Sequence, residues 1–429
     1  MKIQKGILSV IIFLLASMMS LSAQNSMVSS AIQAFHDGDY ESAYQIAGDA
    51  LANIDELSGD YIPAAYYYLA KSRIQVLRLA LESGDQEKYS GMQNALIESY
   101  YDYKEALKTA DAKLKSDIEQ DLSTLYNPIL QTGLSALNTS KDKQQPHNIQ
   151  QSALQAALGY LKAAKDISAT YLICDLLGQT YIAMGDSLQA LALMDESITA
   201  YRSNPPVPPD FLMAYVYFRK AMIERYYLLE SRKALATLME GQNLLHHEYS
   251  KPRATALTAE DRLVYDNGLI DLIGFELDIY LHDTLLIDDA IIRFQEILVM
   301  YPEDYDIHVS YANLLEEIDV NLAIDAYETA ISIDDSKELA YFNLGALYNN
   351  LGSELYLRGL NTDDDHRADS LYNEANDYFR TAYINMESAY NINPKLLPCI
   401  RALVQLSKTL GLDERADYYR QKEMELRGF

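Results

Sequence analysis

Two helical stretches carry glycines in their interior, at the same spacing. YLICDLLGQTYIAMGD holds Gly178, Tyr181 and Gly185, and YFNLGALYNNLG holds Gly345, Tyr348 and Gly352. A glycine inside a helix costs about 1 kcal/mol against alanine. Its recurrence at one spacing therefore calls for a compensating contact. AIQAFHDGDY (Ala31, Ala34, Gly38) and RALVQLSKTLGL (Val404, Ser407, Gly411) repeat the small-residue spacing. The final glycine of each group, including Gly352, is expected at a helix C-terminus, where positive φ favours it.

A second helix type follows each of these. LAIDAYETAISI places Ala323, Tyr327 and Ala330 at i, i+4 and i+7. The same face recurs as Ala190, Met194 and Ser197, as Ala290, Phe294 and Ile297, as Ala382, Met386 and Ala389, and as Ala43, Ala47 and Ala50. Each is one stripe of an amphipathic helix with a small residue leading it.

Joined in order, the two types give a helix–turn–helix of about 34 residues with small side chains at fixed places, which resembles the tetratricopeptide repeat (TPR) family. Tyr341, Leu344, Gly345, Tyr348 and Gly352 stand where that family's first helix has its signature, with Tyr341 at a place often taken by Trp, a residue this chain lacks. The resemblance implies an all-α, right-handed α-solenoid of about nine TPR-like helical hairpins, over 28–52, 61–109, 114–167, 170–201, 209–245, 259–300, 305–333, 338–391 and 396–426. The expected organisation is a leader (1–23), N-terminal hairpins (24–202), a linking hairpin with the proline-rich loop SNPPVPPD (203–258) and a C-terminal array (259–429). In a solenoid each repeat touches only its neighbours. Cys174 and Cys399, in the fourth and ninth pairs, are therefore expected as two free, buried thiols.

The N-terminus pairs Lys2 and Lys5 with a short apolar core, Ile7 to Leu15, and ends on Ser20-Leu21-Ser22-Ala23. That is the layout of a cleaved secretory signal, with the mature chain beginning near Gln24. No cysteine follows the apolar core, so a lipid anchor is not expected. No later run is long enough to span a membrane. The expected location is periplasmic or extracellular. A net charge of −27 opposes phosphate backbones, so nucleic acid is a poor partner.

No nucleophile elbow, glycine-rich phosphate loop or paired-cysteine spacing is present, and no cofactor, metal or catalytic residue is assigned. Asp363-Asp364-Asp365-His366 lacks the alternation of a calcium loop and reads as a solvated hairpin tip. His246-His247-Glu248 lacks the second histidine that a zinc helix needs and reads as an exposed helix end. Asp186-Ser187-Leu188, Asp283-Thr284-Leu285 and Asp369-Ser370-Leu371 resemble a short O-glycosylation signal of exported proteins in some gram-negative bacteria, at Ser187, Thr284 and Ser370. The plainer reading is helix capping by Asp and Ser. Tyrosine is abundant, 35 against 9 Phe, and serves either as filling between helices or as contact surface.

TPR arrays hold peptides on the face lined by their first helices. Carrying the family's groove positions onto this sequence gives Asp175 and Gln179; Asn313, Glu316 and Glu317; Phe342, Asn349 and Asn350; and Arg401, Gln405 and Lys408. The lysines by which one subgroup grips a peptide carboxylate are missing from the fourth, seventh and eighth pairs. The function expected is a non-catalytic protein–protein interaction scaffold of the bacterial cell envelope, with a protein or peptide partner. The alternative is an outer-membrane-associated nutrient or glycan capture protein.

Overall fold

The computed structural model describes residues 22–250 and 257–427. The expected leader falls outside this range except for residues 22 and 23, which open the first helix. The chain forms two compact units, residues 1–228 with 244–265, and residues 229–243 with 266–429. Among the described residues there is no strand, and helices follow one another in nine pairs.

The first unit holds α1 (22–36) with α2 (Tyr40–Ala52), and α3 (Ile62–Ser83) with the short α4 (Gln86–Gly91) and α5 (Ala95–Leu107). It continues through α6 (Ala112–Lys141) with α7 (His147–Ile167), α8 (Tyr171–Ala183) with α9 (Ser187–Ser203), and α10 (Met213–Tyr226). Helices α11 (Ser231–Tyr249) and α12 (Ala259–His282) contribute to both units. The second unit continues with α13 (Ile287–Met300), α14 (Tyr305–Leu315), α15 (Val320–Ile333), α16 (Glu338–Leu360), α17 (Asp365–Ile392), α18 (Leu397–Thr409) and α19 (Asp413–Arg427). This is an all-α architecture of successive helical hairpins, as the helical periodicity predicts.

Local chemistry explains the boundaries. Asp39, Asp111, Asp186, Asp304, Asp319 and Asp364 each cap a following helix by accepting backbone N–H bonds. An N-cap carboxylate satisfies amides that have no partner inside the helix and favours its positive end. Part of the acidic excess is used this way. Gly38, Gly84, Gly185 and Gly411 sit at φ between 70° and 84° and end the helices before them, a conformation that penalises a Cβ.

Gly352 corrects the expectation that it ends its helix. It lies inside α16, which runs on to Leu360. Three glycines seven apart on α16 face α17. A Cβ added at Gly345 would lie 3.0 Å from Met386 Cγ, one at Gly352 2.8 Å from the Phe379 ring, and one at Gly359 2.6 Å from the Tyr372 ring. On α17, Ala368, Ala375, Ala382 and Ala389 are buried at the same seven-residue step. Helix axes can close in only where both partners are this small, and the gain is dispersion contact along the whole seam.

Cys174 and Cys399 are both free and buried. The Cys399 thiol donates to the Met386 carbonyl at 3.1 Å. Burial pushes its pKa up to about 12.

Candidate functional site

In the first unit the first helices of successive pairs are tied by a polar line. Gln179 Nε2 donates to Asp175 Oδ2 at 2.9 Å, Arg219 Nη2 donates to Asp175 Oδ1 at 2.5 Å, and Lys141 Nζ donates to Gln179 Oε1 at 2.7 Å. These residues come from α6, α8 and α10. The spacing of Asp175 and Gln179 puts both on one face of α8. The line borders a cavity of about 220 Å³ with an apolar side made by Leu172, Leu176 and Val216. At its edge the Tyr171 hydroxyl donates to Asp210 Oδ2 at 2.9 Å, and burial, then the Asp210 charge, push that phenol above its ordinary range. Both Asp175 oxygens are occupied, so the line offers a ligand donors rather than a free carboxylate. Arg219 Nε is buried with no hydrogen-bond partner.

The other groove residues divide between structural and accessible positions. Asn313 on α14 and Glu316, which caps its C-terminus, converge on the Tyr327 hydroxyl, which donates to Glu316 Oε1 at 2.6 Å, while Asn313 Oδ1 also accepts from Asn343 at 3.0 Å. These groups bind the α14–α15 hairpin together. Glu317 and Asn350 are exposed and Asn349 is half-buried, whereas Phe342 packs against the core of α17 and α18. Arg401, Gln405 and Lys408 are exposed along α18, and Arg401 pairs with Glu423 at 2.9 Å.

A second cavity, of about 350 Å³, lies in the second unit between α12 and α14. Its apolar wall holds Ile273, Leu277 and Ile307, and Ile270 stands at its border 61% exposed. Asp278, Asp304 and Asp306 also line it. Tyr301 closes one side, its phenol raised above the ordinary value by burial and then by Asp266 and Asp304. Gly274 is part of the lining, and a Cβ built there meets nothing within 4 Å. Carry-over of groove positions misses this cleft because α12 offers no clear alignment. The available signal is a mid-helix glycine among Ile270, Ile273 and Leu277.

The remaining motifs have structural employment. Asp364 caps α17 through the His366 and Arg367 amides. His246 Nδ1 lies 2.9 Å from the Tyr265 hydroxyl, and burial pulls the imidazole below its ordinary range. Glu248 is buried rather than exposed as expected of a helix end. Asp186 and Asp283 accept backbone bonds as caps, while Asp369 and Ser370 lie inside α17 rather than at a turn. Thr284 and Ser370 are exposed and Ser187 is half-buried. Many tyrosines are buried with their hydroxyls on carboxylates, as in Tyr100–Asp166 (2.9 Å) and Tyr419–Glu387 (2.8 Å). Tyr101, Tyr226 and Tyr227 are exposed.

No protein-family model matches the chain, and no curated protein sequence does. Among solved structures it is similar to a TPR-repeat protein of Bacteroides fragilis (14% identity, 66% of this chain and 98% of that one, TM-score 0.30). Yeast Tom70 matches at 14% identity over 94% and 92% of the two chains, with a TM-score of 0.27. Human IFIT1, solved as a dimer with PPP-AAAA, matches at 13% identity over 96% and 95%, also with a TM-score of 0.27.

Proposed function

We propose that this chain is a non-catalytic protein–protein interaction scaffold, exported to the periplasm or beyond, that holds partner segments against the first helices of its hairpins. The observation that carries the reading is that each unit has a cleft lined by successive first helices, α8 with α10 in one and α12 with α14 in the other. Each combines an apolar wall with polar side chains, the combination that fixes a peptide's side chains and its register. The signal-like N-terminus supports export.

Site-resolved photocrosslinking tests this reading. A crosslinking residue replacing Leu172 or Ile270 is expected to trap a discrete partner in the native host, whereas one replacing Val299 on the second-helix side of its pair is not. Equal trapping at all three positions, or none, would remove the proposal.

A further inference from the structure

We infer that the α12–α14 cleft is built for a peptide segment carrying a lysine or arginine beside a bulky apolar side chain, with the segment passing over Gly274. This rests on the scaffold reading and names the chemistry of the partner.

The first argument is the glycine. Gly345, Gly352 and Gly359 are each explained by an atom of α17 that occupies the space of a Cβ. Gly274 has no such neighbour among the described residues, so its propensity cost of about 1 kcal/mol is not offset by packing within the unit. Gly159 on α7 is equally open but lines neither this cleft nor the α8–α10 one. In a concave site, an interior glycine without an internal contact leaves room for close approach of a ligand to the backbone. The site is concave, with Leu277 only 5% exposed in its wall and Ile270 presented at its border. Its volume of about 350 Å³ falls at the lower end of natural ligand clefts.

The second argument is charge. Among the described residues, the lining includes Asp278, Asp304 and Asp306 and no lysine or arginine. Lys337 reaches Asp306 at 3.3 Å across exposed surface, and His282 lies 3.2 Å from Asp278, which has further interactions of its own. Asp304 is committed to capping α14. A carboxylate-rich wall beside an apolar one favours a cation next to an apolar anchor and repels acidic segments. With a net charge of −27, a second copy of this chain is a poor occupant.

The test is selection of random phage-displayed peptides on the full chain, followed by fluorescence anisotropy with the selected peptides. The selected sequences are expected to place Lys or Arg next to Leu, Ile, Phe or Met. Gly274→Leu sends a side chain into the cleft from a position where a Cβ meets nothing within 4 Å and should keep or raise the unfolding temperature, while weakening peptide binding roughly tenfold or more. Asp278→Asn with Asp306→Asn should weaken it several-fold and flatten its salt dependence. Acidic or purely polar selected peptides, or binding indifferent to Gly274→Leu, would overturn the cleft assignment and leave the scaffold reading standing. If selection yields no binder at all, both fall.

Discussion

The α8–α9 and α16–α17 hairpins begin from the same sequence signature and end as different structures. In the first, Gly185 takes φ 80°, α8 has already stopped at Ala183, and Asp186 caps α9 at once. In the second, Gly352 stays helical and α16 continues for eight further residues. The residues just after each glycine decide the outcome. Gly185 precedes an Asp-Ser cap, whereas Gly352 precedes Ser-Glu-Leu-Tyr-Leu-Arg, and the next working cap is Asp364. A glycine permits a helix to end; the adjoining cap makes it do so. The close contacts differ too. A Cβ at Gly178 would meet Met194 and the Ala190 carbonyl at an ordinary 3.5 Å, but one at Gly352 would collide with Phe379.

The largest expected effect is Gly352→Leu, which drives a branched side chain into the Phe379 ring and the Ala375 carbonyl and should cost about 3 kcal/mol in urea unfolding. An unchanged midpoint would show that the α16–α17 seam is loose. Gly345→Leu should cost about 1–3 kcal/mol, because Met386 is flexible enough to give way in part. It has a local reporter: Cys399 leans on Met386, so its labelling by a thiol reagent should accelerate while that of Cys174 does not. Equal acceleration of both thiols would mean global rather than local loosening.

Alkaline pH should distinguish the two thiols next. Cys399 has its folded pKa raised from 9.0 to about 12 by burial, so the neutral form is the one the fold prefers. Its stabilising contribution is complete below pH 9 and is lost as pH climbs through about 12. Cys174 is raised in the same direction by burial, with the Lys165 charge opposing. Hydrogen exchange across this window should therefore show α17–α18 protection falling, and protection that stays flat would sink the point. The smallest effect has the opposite sign. Gly178→Ala should stabilise by about 0.5–1 kcal/mol, since the space is there; destabilisation would mean that α8 and α9 approach more closely than 3.5 Å contact allows.

The hairpins are legible in sequence because a small residue leading each stripe, and an aspartate before many helices, are local signals. The sites are less so. Asp175 looks like an exposed groove residue in sequence, and its burial depends on Arg219, 44 positions away. Asn313 and Glu316 look equally available until Tyr327 is folded against them. The α12 cleft escapes sequence reading because that helix has apolar residues on several faces. Leu272 and Ile279 are buried while Leu263 and Ile270 are exposed, and periodicity alone cannot say which face meets a neighbour.

The glycines of α16 and the rings of α17 climb by the same step, so Gly345, Gly352 and Gly359 form rungs of nearly equal shape. Sliding one helix by a single rung, roughly 10 Å, would set two of the three glycines against another of Tyr372, Phe379 and Met386. Only the brief connection at 361–364 denies the pair that alternative alignment. Lengthening it should turn one well-defined hairpin into a mixture of two.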